Sequence, residues 1–213
     1  AMFLVQITLN NTLTYYGALS HYGEDIPLAC VGVISKVNIL MLGFTLGISQ
    51  GCQPIFSYNY GARQYSRVRE AYRKAIVAAS IICCIAFVCF QLFPRPIVAL
   101  FDPSGSEEYF QFAERYFRIY MFMTLANAFQ PITANFFTSI GKAKRGALIA
   151  LTRQVIFLIP LILIFPLFLG IDGVMYAGPI ADSAAVVVAL ALVTREMKRM
   201  PHVDEPVAAD TLV

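Results

Sequence analysis

Charge is the scarcest commodity in this chain. Of 213 residues only 14% are Asp, Glu, Lys or Arg, against about 25% in soluble domains, so there is too little charge to coat a globule in water. Histidine is nearly absent, with His21 and His202 far apart, which leaves a metal site little to be built from. The five cysteines (Cys30, Cys52, Cys83, Cys84, Cys89) all lie in apolar runs, two of them adjacent and none in CxxC spacing. They read as small buried hydrophobes rather than a disulfide framework or zinc site. Catalytic signatures are missing too: no Ser/His/Asp or Cys/His set within the apolar runs, no HExxH, no GxxxxGK[ST], no GxGxxG. That excludes the familiar hydrolase, metalloprotease and nucleotide-binding classes. No enzyme and no cofactor are expected. Without a nucleotide-binding module, any transport must run on an ion gradient or passively.

What the chain has is long charge-free sequence. Residues 1–23, 37–62, 75–94, 119–141 and 154–171 carry no charge, and 173–194 carry only Asp182. About 20 apolar residues cross a bilayer core. The runs are continuous, without the period-two alternation of an outer-membrane barrel strand. The fold class predicted is therefore an all-α polytopic membrane protein of six transmembrane helices, at about 1–22, 26–60, 73–94, 112–140, 150–169 and 173–195. Residues 201–213 are expected to be a disordered cytoplasmic tail. The first run lacks a basic leader and an Ala-x-Ala-like cleavage site, so it is read as a span rather than a secretory leader.

The charges sort by side. Arg63, Arg67, Arg69, Arg73, Lys74, Lys142, Lys144, Arg145, Arg153, Arg195, Lys198 and Arg199 fall in loops on one side, 12 of the 16 bases. The opposite loops hold Glu24, Asp25, Asp102, Glu107, Glu108 and Asp172. Lys and Arg accumulate in cytoplasmic loops, so both chain ends are expected in the cytoplasm, and the location expected is the inner (plasma) membrane. Topology accounts for the basic clusters, so no nucleic-acid partner is expected. RQYSRVREAYRKA (63–75) should lie as an amphipathic turn against the inner bilayer surface and its anionic headgroups.

Proline within a span implies a kink that neighbours must support. Pro54, Pro131, Pro160, Pro166 and Pro179 stand in such places. Gly43, Gly47 and Gly51 form a GxxxGxxxG ladder, expected to pack closely on a neighbouring helix. Intramembrane charge is expensive and points to function. Asp182 lies about 15 Å into its helix, Lys36 about as deep in another, and Arg118 shallower. Asp182 is expected to face the interior, protonated or paired with Lys36 or Arg118, in coupling or in packing. Asn10, Asn11, Asn127 and Gln130 are further candidates, either gluing helices together or lining a wet ion or substrate pathway.

The run GISQGCQPIFSYNYGARQYSRVREAYRKAI (Gly47–Ile76) resembles the multidrug and toxic compound extrusion (MATE) family, which carries a similar pattern where Gln53, Pro54, Tyr60, Gly61 and Ala62 stand. FFTSIGKAKRGALIALTRQ (Phe136–Gln154), LIPLILIFP (Leu158–Pro166) and GVMYAGPIADSAA (Gly173–Ala185) resemble its tenth-to-eleventh-helix link, its eleventh helix and the start of its twelfth. The resemblance implies a C-terminal six-helix lobe whose partner is a missing N-terminal lobe, with residue 1 a truncation point. It also implies export of small cationic or aromatic compounds in exchange for H⁺ or Na⁺ by alternating access. One branch of the family holds a cation with acidic residues in two helices; here the first span offers Gln6, Thr8, Asn10 and Asn11, and the span at 112–140 has no acid beyond Glu114. A flippase of lipid-linked oligosaccharides or polysaccharides in the same superfamily, or a non-transporting membrane scaffold, are the alternatives.

Overall fold

In the computed structural model, which describes residues 2–23, 25–103, 105–201 and 204, every regular element is helical among the described residues. The elements are α1 (Met2–Ala18), α2 (Asp25–Gly61), α3 (Tyr65–Leu92), α4 (Pro94–Phe101), α5 (Glu107–Tyr120), α6 (Ala126–Ser139), α7 (Ala143–Leu151), α8 (Ile159–Leu169) and α9 (Ile171–Arg199). Four uninterrupted helical stretches are long and apolar enough to cross a membrane: 25–61, 65–92, 143–169 and 171–199. The other two predicted spans take different forms. α1 has 17 residues, about 26 Å at 1.5 Å per residue. The span expected at 112–140 is two helices, α5 and α6, joined through a 3₁₀ turn at Met121–Met123. There the Thr124 hydroxyl donates to the Met121 carbonyl at 2.5 Å, competing with the helical ladder.

Two stretches depart from the sequence expectation. RQYSRVREAYRKA is no separate surface turn: α3 starts at Tyr65 and runs unbroken into the apolar segment. The chain reverses just before it, at Arg63, whose φ is 57°. The second is the rod Ala143–Leu169, which is α-helical at both ends but a π-helix over Thr152–Leu158. Pro160 supplies no N–H for the Ile156 carbonyl, and the chain widens its turn just ahead of it.

α2, α3, α6 and α9 meet along a core that includes Phe56, Tyr72, Phe136 and Ala181. Phe136 stacks edge-on to Phe56 at 5.4 Å and lies 5.1 Å from Tyr72, whose hydroxyl pairs with Thr133 at 2.7 Å. Polar bonds stitch α2 to α6, two of the helices with a proline inside. Ser49 Oγ donates to the Pro131 carbonyl at 3.2 Å, and Asn135 Nδ2 donates to the Ser49 carbonyl at 2.7 Å. Close approach falls elsewhere than the GxxxGxxxG ladder. A Cβ at Gly43, Gly47 or Gly51 would meet nothing within 4 Å, whereas one at Gly146 would come within 2.5 Å of the Ala134 carbonyl oxygen. The ladder is thus an exposed face of α2 rather than a packed one, because none of the described helices lies against it.

The basic end of the bundle is clasped. Gly141, with φ 78°, turns the chain from α6 into α7. Lys142 and Arg145 then both bond the carboxylate of Glu196, a buried residue near the end of α9. Arg69 of α3 donates to the carbonyls of Met200 and Pro201, each at 2.8 Å. At the acidic end the pairs are exposed: Arg95 with Glu107 at 2.6 Å and Arg115 with Asp172 at 2.8 Å. The Arg95 guanidinium holds the Glu107 carboxyl below the usual carboxylate range. Neutralising Glu196 (Glu196→Gln) is expected to cost about 2 kcal/mol, moderated because Lys142 and Arg145 can turn to water. The thermal midpoint of the protein in detergent reads this, and an unchanged midpoint would make the clasp incidental.

Most of the tail for which disorder was expected lies outside the described residues. Pro201 and Asp204 are held: besides the Arg69 contact, the Ser66 amide donates to Asp204 Oδ1 at 2.9 Å and the Ser66 hydroxyl bonds Oδ2. The Ser66 hydroxyl and amide lower the Asp204 pKa from 3.8. A carboxyl lowered on docking favours docking fully above its ordinary pKa, and that contribution is lost as pH falls through the lowered value. Protection of the Ser66 amide from hydrogen exchange should therefore persist at neutral pH and disappear in acid. In Asp204→Asn it should be weakened already at neutral pH.

Candidate functional site: a cleft walled by an intramembrane ion pair

Two cavities lie between α2 and the α7–α8 rod. The first, about 410 Å³, is bordered by Gln6 and Leu9 of α1, Ser35, Asn38 and Leu42 of α2, Tyr120, Leu158, Ile162 and Gly178. The second, about 570 Å³, is bordered by Leu42, Ser49 and Gln50 of α2, by Gln130, Pro131, Ala134 and Asn135 of α6, and by Gly146 and Ala150 of α7. Three residues border both: Leu42, Arg153 and Gln154. The cleft is thus continuous in its lining, mostly apolar, and punctuated by amides and one guanidinium.

Arg153 occupies the π segment, and its Nε donates to Asp182 Oδ1. Both side chains are largely buried, 13% and 9% exposed. The partner expected for Asp182 was Lys36 or Arg118, and neither takes that part. Lys36 is exposed on α2 and borders neither cavity; Arg118 is exposed on α5, where its carbonyl accepts from Gln91 Nε2 at 3.0 Å. Arg153, counted from sequence among the loop bases, is instead an intramembrane residue. It stands 17 residues before the α8–α9 turn at Gly170, and Asp182 reaches it from α9 on the far side of that turn.

Gly178, one turn before Asp182, lets the wall close. A Cβ there would sit 2.6 Å from the Tyr120 ring, so glycine admits Tyr120 against α9 beside the pair. Ser183 donates its hydroxyl to the Pro179 carbonyl one turn back, at 2.8 Å.

The remaining candidates divide. Gln130 does two jobs: Nε2 donates to the Ile149 carbonyl at 3.1 Å, tying α6 to α7, and the residue borders the second cavity. Asn10 accepts from Gln6 Nε2 at 3.0 Å, and it is Gln6 that borders the first cavity. Asn11 is exposed, and the side chain of Asn127 lies outside the described residues. In the motif, Gln53, Pro54 and Gly61 are exposed, Ala62 is half-buried, and the Tyr60 ring packs edge-on to Tyr65 at 5.6 Å. None of these five residues borders either cavity. Sequence reasoning missed Arg153, Gln154 and Tyr120. The one available signal was Pro160, which marks irregular backbone next to Arg153.

The family model MatE matches residues 1–164. The chain belongs to the MatE family. The multidrug export protein MepA of Staphylococcus aureus is 23% identical over 192 residues, 90% of this chain and 42% of MepA. Among solved structures, an outward-facing multidrug resistance MATE family transporter of the MOP superfamily superposes with a TM-score of 0.83 at 19% identity, over 93% of this chain and 43% of that one. The MATE multidrug transporter DinF-BH superposes with a TM-score of 0.76 at 32% identity, over 91% of this chain and 42% of that one. This MatE chain therefore spans about two fifths of the length of the relatives it matches, and its fold is that of half a MATE transporter.

Proposed function

We propose that this chain is the C-terminal lobe of a secondary active multidrug efflux antiporter, exporting small aromatic and cationic compounds in exchange for H⁺ or Na⁺ by alternating access. The observation that carries the reading is a cleft along one side of a MATE-type half, lined by amides and by Arg153, which a buried Asp182 backs, in otherwise apolar surroundings. Its partner would be an N-terminal six-helix lobe, closing over the open faces of α1 and α2. Asp182 and Arg153 belong to the pathway in this reading, with Gln130 and the Gln6–Asn10 pair flanking it. Both ends of the chain would face the cytoplasm, given where the basic residues cluster.

The flippase alternative gains one basic group, since Arg153 reaches the cleft. Asp182 neutralises it, so the cleft lacks the net positive charge that an anionic lipid carrier would call for. Reconstitution of this chain into vesicles with and without an N-terminal lobe, following an aromatic dye together with proton and sodium flux, tests the proposal. Gradient-driven export by the two lobes together, and none by this chain alone, is the expected result. Export by six helices alone would overturn the need for a second lobe, and dye-independent ion flux would overturn the antiport.

A further inference from the structure

The cleft presents one charged group, and it is the positive one. Arg153 borders both cavities; Asp182 borders neither and lies behind it on α9. Arginine has five N–H donors in a planar fork, and the bond to Asp182 is made through Nε, the donor nearest the helix. A cationic centre entering the cleft meets guanidinium before it can meet carboxylate, so this wall does not itself recognise cations. A multiply charged anion is also disfavoured, because the pair is neutral overall and surplus charge in a low-dielectric site is expensive. The ligand that suits a neutral pair whose arginine borders the cleft is one that is itself neutral overall and carries an acceptor at one end.

We infer that Arg153, with Gln154 beside it, holds the carboxylate of zwitterionic aromatic substrates, setting their orientation in the cleft. This rests on the reading of the cleft as the substrate pathway. Gln154 adds an amide donor at the same place, since it too borders both cavities. Leu42, on α2, offers an apolar surface across the cleft for an aromatic body, and the Tyr120 ring beside the first cavity another. The cationic end of such a substrate would point away from this wall.

The test uses the complete two-lobe transporter and two rhodamine dyes that share a ring system. One has a free benzoate and is a zwitterion; the other is its methyl ester and is a net cation. Binding of each is measured to the wild type, to Arg153→Lys, and to the paired variant Arg153→Met/Asp182→Leu, which leaves no orphan charge. Lysine keeps a charge facing Asp182 but not the planar fork. Both variants are expected to lose about tenfold or more in affinity for the zwitterion, with the ester changed less than about twofold. Equal loss for both dyes would reduce Arg153 to a packing residue and overturn the inference. So would a zwitterion affinity that neither variant changes, with ester export intact. A wild type that exports neither dye would overturn the transport reading itself, and the inference with it.

Discussion

Asp182→Asn should destabilise the lobe by about 3–5 kcal/mol, the range found when one member of a buried ion pair is removed. The reason lies in what remains. Arg153 keeps its charge at any accessible pH, and in the π segment it is 13% exposed, so the substitution leaves a cation among apolar helices with an amide in place of a carboxylate. Arg153→Met should also destabilise, because it leaves the Asp182 carboxylate buried without its partner. The double change Arg153→Met/Asp182→Leu should recover most of the loss, since replacing a buried pair by apolar side chains of similar volume is often neutral. Thermal midpoints of the three variants in detergent, compared with the wild type, check the ordering. A double variant worse than either single one would show that the pair is needed for the fold itself. In the reconstituted transporter the same three variants separate folding from transport: a stable double variant with lost export assigns the pair to the pathway.

Gly173→Ala is expected to be the most damaging change of a single methyl group, at about 3 kcal/mol or somewhat more. A Cβ at this position would lie 2.5 Å from the carbonyl carbon of Phe165 and 2.7 Å from the nitrogen of Pro166. Those are backbone atoms at the end of α8, and they cannot rotate aside as a side chain can. The α8–α9 turn, with Gly170 at φ 58°, would have to open, carrying Asp182 away from Arg153. Gly47→Ala is the control. It meets open space, and alanine in a helix should even add about 0.5–1 kcal/mol to this lobe. Expression and melting of the two variants side by side would settle the contrast; a damaging Gly47→Ala would mean that something outside this chain packs on α2.

Those two glycines show what could be read from sequence and what could not. The apolar runs made the all-helical class legible, because in a membrane the backbone must bond to itself and long charge-free segments have few other choices; they did not show α4, the start of α7 or the break between α5 and α6. The GxxxGxxxG spacing of Gly43, Gly47 and Gly51 suggested close packing, while the close approaches at glycines within helices fall at Gly146, Gly173 and Gly178, which share no repeat. Close approach depends on which helix arrives opposite, and spacing on one helix does not say that. Asp182 was legible as an intramembrane carboxylate, but its partner was not. Arg153 follows Lys142, Lys144 and Arg145 in a basic stretch, and counting charges by side puts it in a loop with them. Only the α6–α7 turn at Gly141 and the helix that begins at Ala143 carry Arg153 into the bundle. Glu196 escaped notice for the converse reason: it sits among exposed-looking charges, yet is 1% exposed.

The clasp at the basic end gives the lobe an uneven stiffness. α3, α7 and α9 are joined there by Arg69, Lys142, Arg145 and a buried Glu196, contacts that dissolved salt screens little. The acidic end relies on Arg95–Glu107 and Arg115–Asp172, half exposed to solvent and individually weak. Raising the ionic strength should therefore loosen one rim of the bundle and leave the other intact. The two rims thus differ in what holds them: a buried carboxylate at one, solvent-facing pairs at the other.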